Sequence, residues 1–381
     1  MSVGIEVIQP VPQPSAEVAD AAAPLTRGRL IWAKLVRNRL GVVGGVCLVL
    51  LAGVALFADF LAPYGTDEGH SQKNAPPQAV HFARAGEQRP GWPFVYGYGS
   101  TFDRATLTQT FTEDPQTTSE VRLFAQGVPY RLLGFISSDR HLVGTDSGAT
   151  ILLLGTDRFG RDVFSRLLMG TRISLTVPLI GMLISVTLGT LIGVASGYWG
   201  GVADNLIQRA TEVIMAFPRI PLWMALAATL PATLDPAARY LGVTVVLAII
   251  GWAGLARQIR GKSLALKEED YIMAARAAGS STWTILVRHL VPNCFSHIVV
   301  IATLTVPGLI LAESSLSFLG IGITPPLVSW GTMLKDAQNL EDLLAHPWLL
   351  APGSFIVVAV LAFNFFGDAL RDAVDPYAKV L

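Results

Sequence analysis

Charge is scarce in this sequence. Lys, Arg, Asp and Glu make up 15% of the 381 residues, and 28 basic side chains cancel 28 acidic ones. That balance leaves no basic field to draw a polyanion, so no nucleic-acid partner is expected. Cysteine is scarcer still. Cys47 and Cys294 stand far apart in apolar runs, which offers neither a disulfide framework nor a metal-binding spacing, and both read as small buried hydrophobes. The six histidines show no HExxH pattern or paired ligand spacing, and no Gly-x-Ser-x-Gly elbow occurs. No catalytic residue, cofactor site or metal ligand is therefore assigned. A basic region leading straight into an apolar core is also missing from residues 1–26, where Pro10, Pro12, Pro14 and Pro24 sit among small and acidic residues. This argues against a cleaved signal and for a disordered cytoplasmic tail.

What is present is hydrophobicity, 51% of all residues. The expected class is an all-α polytopic membrane protein. The first span is Leu40 to Ala58, an uncharged run behind Arg27, Arg29, Lys34, Arg37 and Arg39. Ile173 to Ala203 contains the second, with Gly181, Gly189, Gly193 and Gly197 permitting close helix contact. A third is placed near 215–233, although Pro218, Arg219 and Pro221 interrupt it. Tyr240 to Ala256, Leu290 to Ala312 and Trp348 to Gly367 complete six. With the amino terminus inside, cytoplasmic segments hold fifteen Lys and Arg, against Arg239 and Lys335 in the short outer loops. The positive-inside rule then places both termini in the cytoplasm.

The expected organisation is a tail over 1–26, an amino-terminal segment and first span over 27–61, and an extracytoplasmic domain over 62–172. A five-helix core over 173–376 includes a cytoplasmic loop at 257–293, and 377–381 form a tail. The 62–172 stretch is too long for a plain connection and reads as a small α/β or β-rich insertion. Alternation over Glu120 to Ile136 predicts a β-hairpin turning at Gln126-Gly127. Val-Gly-Thr-Asp at 143–146 and Leu-Gly-Thr-Asp at 154–157 predict two similar turns.

The stretch Lys267 to Asn293 is charged between two apolar runs. Its alanines favour helix, and Gly279 with Ser280 and Ser281 favours a turn and a fresh helix start, so helix–turn–helix is expected. Its pattern is Tyr271-Ile272-x-Ala274-Ala275-Arg276-Ala277-x-Gly279-x-Ser281, then Arg288-His289-x-x-Pro292-Asn293. This resembles the cytoplasmic coupling loop of binding-protein-dependent ABC importer permeases, and within them the dipeptide/oligopeptide/nickel permease family. Met273 stands where that family's motif has Glu. The resemblance continues through Gly155, Asp157, Gly160, Arg161 and Asp162 before span two, with Asp157 expected to cap a short helix from Gly160. It covers Gly197-Tyr198-Trp199-Gly200-Gly201 with Asp204, the Glu313-to-Gly322 segment with Trp330, and Gly367-Asp368 to Asp375-Pro376.

The resemblance implies a type I importer permease fold. It also implies partners: a second homologous permease, two ATP-binding subunits, an extracytoplasmic solute-binding protein and the lipid bilayer. Tyr271, Ala274, Ala275, Arg276, Gly279, Ser281 and Pro292 would dock into an ATPase groove, with ATP and magnesium on that partner. Glu313 is costly inside a span unless hydrated or paired, and with Ser317 and Trp330 it is a gate or path candidate. Residues around 65–150 exceed the family's usual short loop and look inserted, to seat the binding protein or cover the mouth.

Gly261-Lys262-Ser263 mimics the end of a phosphate-binding loop, but Ala256 occupies the position of its first glycine and a span precedes it instead of a strand. ATP binding on this chain is thus not expected. Two further readings stay open from the residues alone: an ATP-independent carrier or channel, and a membrane sensor using 62–172.

Overall fold

The computed structural model describes residues 27–83, 91–103, 108–132, 134–145, 149–231 and 233–374. The two expected tails and Asp375-Pro376 lie outside them. An amphipathic helix α1 (Arg27–Arg37) leads into α2 (Arg39–Leu56), where the Asn38 side chain accepts from Gly41 N. Eighteen residues at 1.5 Å each give α2 about 27 Å, enough for one span. A short α3 (Ala58–Leu61) follows.

Between α3 and the next long helix lie strands β1 (Phe94–Asp103), β2 (Thr108–Leu132) and β3 (Ile136–Thr145), antiparallel in the order β1-β2-β3. The stretch expected to be inserted thus holds three strands. The amino-terminal half of β2 pairs with β1 from Phe94↔Glu120 to Asp103↔Thr108, and its other half pairs with β3 from Val121↔Thr145 to Leu132↔Ile136. The result is two hairpins end to end along one long strand. The expected hairpin exists, but the chain reverses between Leu132 and Ile136. Gln126 to Tyr130 is instead a register shift, where His141 fills the space a side chain on Gly127 would need. Of the two expected Thr-Asp turns, 143–145 is the end of β3, while 154–157 does turn.

The helical part continues with α4 (Val163–Trp199), longer than the expected second span by a full ten residues at its start. Next come α5 (Gly201–Ala216) and α6 (Arg219–Ala228), bent by 89° against each other. Here the expected continuous third span fails. Pro218 lacks an N–H and disfavours helix at Phe217, which is extended at φ −82°, ψ 140°, so the chain breaks where the prolines stand. α7 (Pro236–Leu266) is capped by Asp235, whose carboxylate accepts from Ala238 N, and runs well past the expected Ala256. α8 (Asp270–Ala277) and α9 (Thr282–Thr284) lead through a π-helical turn, Ile285–Leu290, into α10 (Val291–Phe318). Pro292 cannot donate to the carbonyl four residues back, and the wider turn accommodates that loss. α11 (Trp330–Leu334), α12 (Leu340–Ala345) and α13 (Ala351–Val374) complete the described chain. Five helical stretches among the described residues are long and apolar enough to cross a membrane, and the bent α5–α6 pair makes up to six.

Glycines set the closest packing. On α4, added Cβ atoms at Gly189, Gly193 and Gly197 would lie 2.9, 2.5 and 2.8 Å from the carbonyls of Trp252, Ala256 and Arg260 on α7. One residue per turn is kept small so that the two backbones can touch. Gly41 and Gly44 do the same for α2 against Ala369 and Ala362 of α13. The helices thus form one packed body whose two ends differ: one carries α8, the other the strands.

Candidate coupling surface and the polar end opposite it

At the α8 end, the last turns of α7, the π-helical turn and α10 bury Ile259, Ile285, Leu286, Leu290 and Cys294 together, and Ile272 of α8 inserts among them. Cys294 is thus buried as expected, while Cys47 is half-buried. Ile272 is the single buried residue of α8; Tyr271, Met273, Ala274 and Arg276 are exposed and Ala275 is half-buried. Helix α8 ends with Ala278 N donating to Ala274 O, Gly279 N to Arg276 O and Ser280 N to Ala275 O. Gly279 takes φ +78°, which a side chain disfavours. Ser281 then caps the following helix by accepting from Thr284 N at 3.2 Å. The predicted helix, turn and helix are all present, with the small residues facing out. Pro292 is exposed in the first turn of α10, apart from that knob.

Arg276 joins the knob to the rest of the base. Its guanidinium lies 5.3 Å from the ring centre of Tyr198, near the end of α4. The same end of α4 is tied down by Asp204, which receives two 2.6 Å bonds from Arg260 and one from the Ser196 hydroxyl. Arg260 escaped sequence reasoning because it sits 56 residues from Asp204, and only the α4–α7 packing brings them together.

At the opposite end, Asp157 organises a tight turn. Its carboxylate accepts from the backbone N–H groups of Phe159 (2.8 Å) and Arg161 (3.0 Å) and from Arg161 Nε (2.7 Å). The helix cap itself is Asp162, which accepts from Ser165 N at 2.7 Å, and no helix starts at Gly160. The expected capping by Asp157 is corrected accordingly: Asp157 holds the turn that aims Asp162. Gly155 and Gly160 adopt φ +69° and +79°, and a Cβ on either would strike the carbonyl of Ala75 or of His70. The loop after α3 therefore lies directly on this turn. Burial pushes the Asp162 carboxyl up to about 6, reinforced by the Asp157 charge. Asp336, after α11, pairs with Arg158 at 3.1 Å and Arg161 at 3.5 Å, and burial raises its carboxyl too. No spacing in the sequence signalled Asp336.

Glu313, Ser317 and Trp330 come together, all fully buried. Ser317 Oγ donates to Glu313 Oε1 at 2.7 Å and accepts from Ile323 N, while Ser314 Oγ is 3.4 Å from the other carboxylate oxygen. Ser174 and Ser329 lie beside Glu313. Trp330 N donates to Ser174 Oγ at 2.9 Å, and Gly331 is packed so closely on Ser314 that a Cβ would lie 2.5 Å from its carbonyl. These residues form a closed polar knot that fastens α11 to α4 and α10. Its polar members are all buried in this conformation. Ser314 and Ser317, one helical turn apart, were the signal within the sequence; Ser174 and Ser329 needed the fold.

Comparison with known proteins places these features in context. Residues 189–380 match the model of the binding-protein-dependent transport system inner membrane component, and residues 26–77 match the N-terminal TM domain of oligopeptide transport permease C. A glutathione transport system permease protein, GsiD of Pectobacterium atrosepticum, is 40% identical over 253 residues, covering 66% of this chain and 80% of the relative. The oligopeptide transport system permease protein OppC of Haemophilus influenzae is 43% identical over 224 residues, 58% of this chain and 69% of the relative. The dipeptide transport system permease protein DppC of Bacillus subtilis is 41% identical over 225 residues, 58% and 68% of the two chains. The three strands, between 94 and 145, fall between the two matched segments.

Proposed function

The chain belongs to the inner membrane components of binding-protein-dependent transport systems, and from that premise we propose that it forms half of the solute path of an ATP-driven importer for peptides or related solutes. It is a multi-pass permease subunit of the inner membrane and is not itself an enzyme. The names of its relatives, for glutathione, oligopeptides and dipeptides, support the solute class. Its proposed companions are a second homologous permease, two ATP-binding subunits that carry ATP and magnesium, and an extracytoplasmic solute-binding protein. The count of basic residues supports a cytoplasmic amino terminus, and with it a cytoplasmic α8 and strands on the outer side.

The observation that carries the mechanism is the α8–Gly279–Ser281 knob. Ala274, Ala275 and Gly279 present almost no side chain, so a partner's groove can close on the backbone, with Tyr271, Arg276 and Ser281 at its margins and Pro292 apart from it at the start of α10. Ile272 roots the knob in the core shared by α7 and α10. Displacing it therefore moves two long helices, and α10 ends in the Glu313 knot, whose opening or closing is the proposed gate. Nucleotide binding favours one arrangement only through contacts that differ between the two, and the knob is where such contacts are made. The Asp157–Arg161–Asp162 turn holds the far end of α4 while this happens.

Two measurements test the reading. The tagged chain, extracted in mild detergent, is expected to bring down an ATPase; its absence would favour a carrier, channel or sensor. In the assembled complex, Gly279→Pro forces φ near −65° and removes the bond to Arg276, and Ala275→Trp blocks approach. Both are expected to leave membrane insertion intact while uptake per ATP hydrolysed falls at least tenfold. Unaltered coupling in both variants would end the docking model.

A further inference from the structure

A cavity of about 210 Å³ opens where α5 breaks into α6, bounded by α7 and α10. Its lining includes Arg219, Trp223, Gly254, Gln258 and Gly308, and no acidic residue. Gly254 lies 18 residues from the start of α7 and 12 from its end, so the cavity sits about 27 Å from one end of that helix and about 18 Å from the other. That places it near the inner end of the Tyr240–Ala256 apolar run, where a side chain on the cavity wall can meet a solute that has already crossed most of the span.

Three other basic residues near the spans are engaged. Arg172 meets Asp59 at 2.8 Å, Arg239 donates to Gly322 O at 3.0 Å, and Arg260 holds Asp204. Arg219, which lines the cavity and is exposed at its mouth, has no hydrogen-bond or ion-pair partner among the described residues. Its nearest acidic neighbour along the chain, Glu212, is taken by Arg209 and Arg257. Two more observations point the same way. Trp223, one turn along α6 and 94% buried, keeps an indole N–H without a hydrogen-bond partner. Gly254 leaves Arg219 Nη2 as the atom nearest to its missing Cβ, at 3.9 Å, so the guanidinium lies over a position kept bare.

We propose that Arg219, with the Gln258 amide and the Trp223 indole, forms a station on the solute path that takes the carboxylate of a passing solute. The donors fit that group: a guanidinium presents a fork matched to two carboxylate oxygens, and the amide and indole add N–H groups without adding charge. An anion is selected and a cation repelled. The station rests on the importer reading for its place on a solute path. Release follows from geometry, because the guanidinium stands at the α5–α6 break, where relative movement of the two helices separates it from Gln258 on α7.

The test uses the assembled complex with Cys47 and Cys294 replaced by Ser and a single reporter, Gly308→Cys, a position where an added Cβ meets nothing within 4 Å. Labelling rates are compared for a carboxyethyl and a trimethylammonium-ethyl methanethiosulfonate. With Arg219 present the anionic reagent is expected to be favoured; Arg219→Gln should lower the anionic-to-cationic rate ratio about tenfold, and Arg219→Lys should retain it. The proposal is overturned if neither reagent labels, if Arg219→Gln leaves the ratio unchanged, as when a partner subunit's carboxylate already occupies the guanidinium, or if Lys behaves like Gln. Co-purification of an ATPase is scored separately, so failure of the importer reading is distinguishable from failure of the station.

Discussion

Asp162 carries two duties that pull in opposite directions. As the cap of α4 it must present an oxygen to Ser165 N, and burial beside Asp157 penalises the charge that comes with that oxygen. Its carboxyl, pushed up to about 6 from an unfolded value of 3.8, binds a proton more tightly in the folded chain. The folded state therefore gains stability as pH falls from about 6 towards 4, and above 6 the ionised group is a constant cost of at most about 3 kcal/mol. Asp162→Asn keeps the capping oxygen and drops the charge. The variant is expected to melt higher than the parent at pH 7.5, with the two converging near pH 4.5. Asp336, whose carboxyl burial also raises, contributes acid stabilisation of its own to parent and variant alike. A variant melting below the parent at pH 7.5 would mean that the charge, rather than the oxygen, supports α4.

Among elements, the α4–α7 seam sets how the long helices cross. The contact is backbone on backbone at three successive turns, so its sensitivity is steric. Gly193→Leu forces a side chain against Ala256 O, where even a Cβ would lie at 2.5 Å, and overpacking of this kind costs about 1–3 kcal/mol or more. Thermal unfolding in detergent should drop by several degrees, while Gly308→Ala, in open space, should leave the midpoint in place. Equal midpoints would show that the seam yields. The glycine spacing made this contact legible beforehand, because one residue per turn is a local pattern. The Ala274–Gly279 turn was legible for the same reason: alanine and glycine state their backbone preferences without help from neighbours. The α5–α6 bend was visible only as an interruption. Two prolines signal a break, yet its direction depends on what the halves pack against. The Asp204–Arg260, Arg161–Asp336 and Ser174–Trp330 pairings were hidden, since their partners stand 56 to 175 residues apart and no local pattern joins them. Asp157 and Asp162 were both noticed, but five residues of turn geometry decided which one caps.

At the scale of the whole molecule, the strands are the part least explained by packing. Along β2 each half has a partner on one side only, and two-stranded ribbons are marginal without further support. Support comes at its base, where Val95, Val121 and Ile151 are buried together, His141 bonds to Ala62 O and Val128 O, and the 76–81 segment bonds to Phe94, Tyr96 and Tyr98. Beyond that anchor, Leu123, Phe124, Val128, Phe135 and Ile136 are exposed. A ribbon that leaves five large apolar side chains uncovered is shaped to meet another surface. In the proposed orientation that surface is the solute-binding protein or the outer face of the second permease. Excision is geometrically simple, because Pro93 O receives Val121 N while Thr145 pairs with Val121 from the other side. The cut ends thus flank a single strand, about 10 Å apart, and Gly-Ser-Gly spans that distance. Replacing residues 94–144 in this way changes no residue of the Asp157 turn, the Glu313 knot or the α8 knob. The expected result is a complex that still assembles and hydrolyses ATP but takes up solute at least tenfold more slowly at limiting binding-protein concentration. Full uptake and unchanged binding-protein affinity would leave the ribbon with no part in transport. Loss of assembly instead would make the second permease the surface it covers.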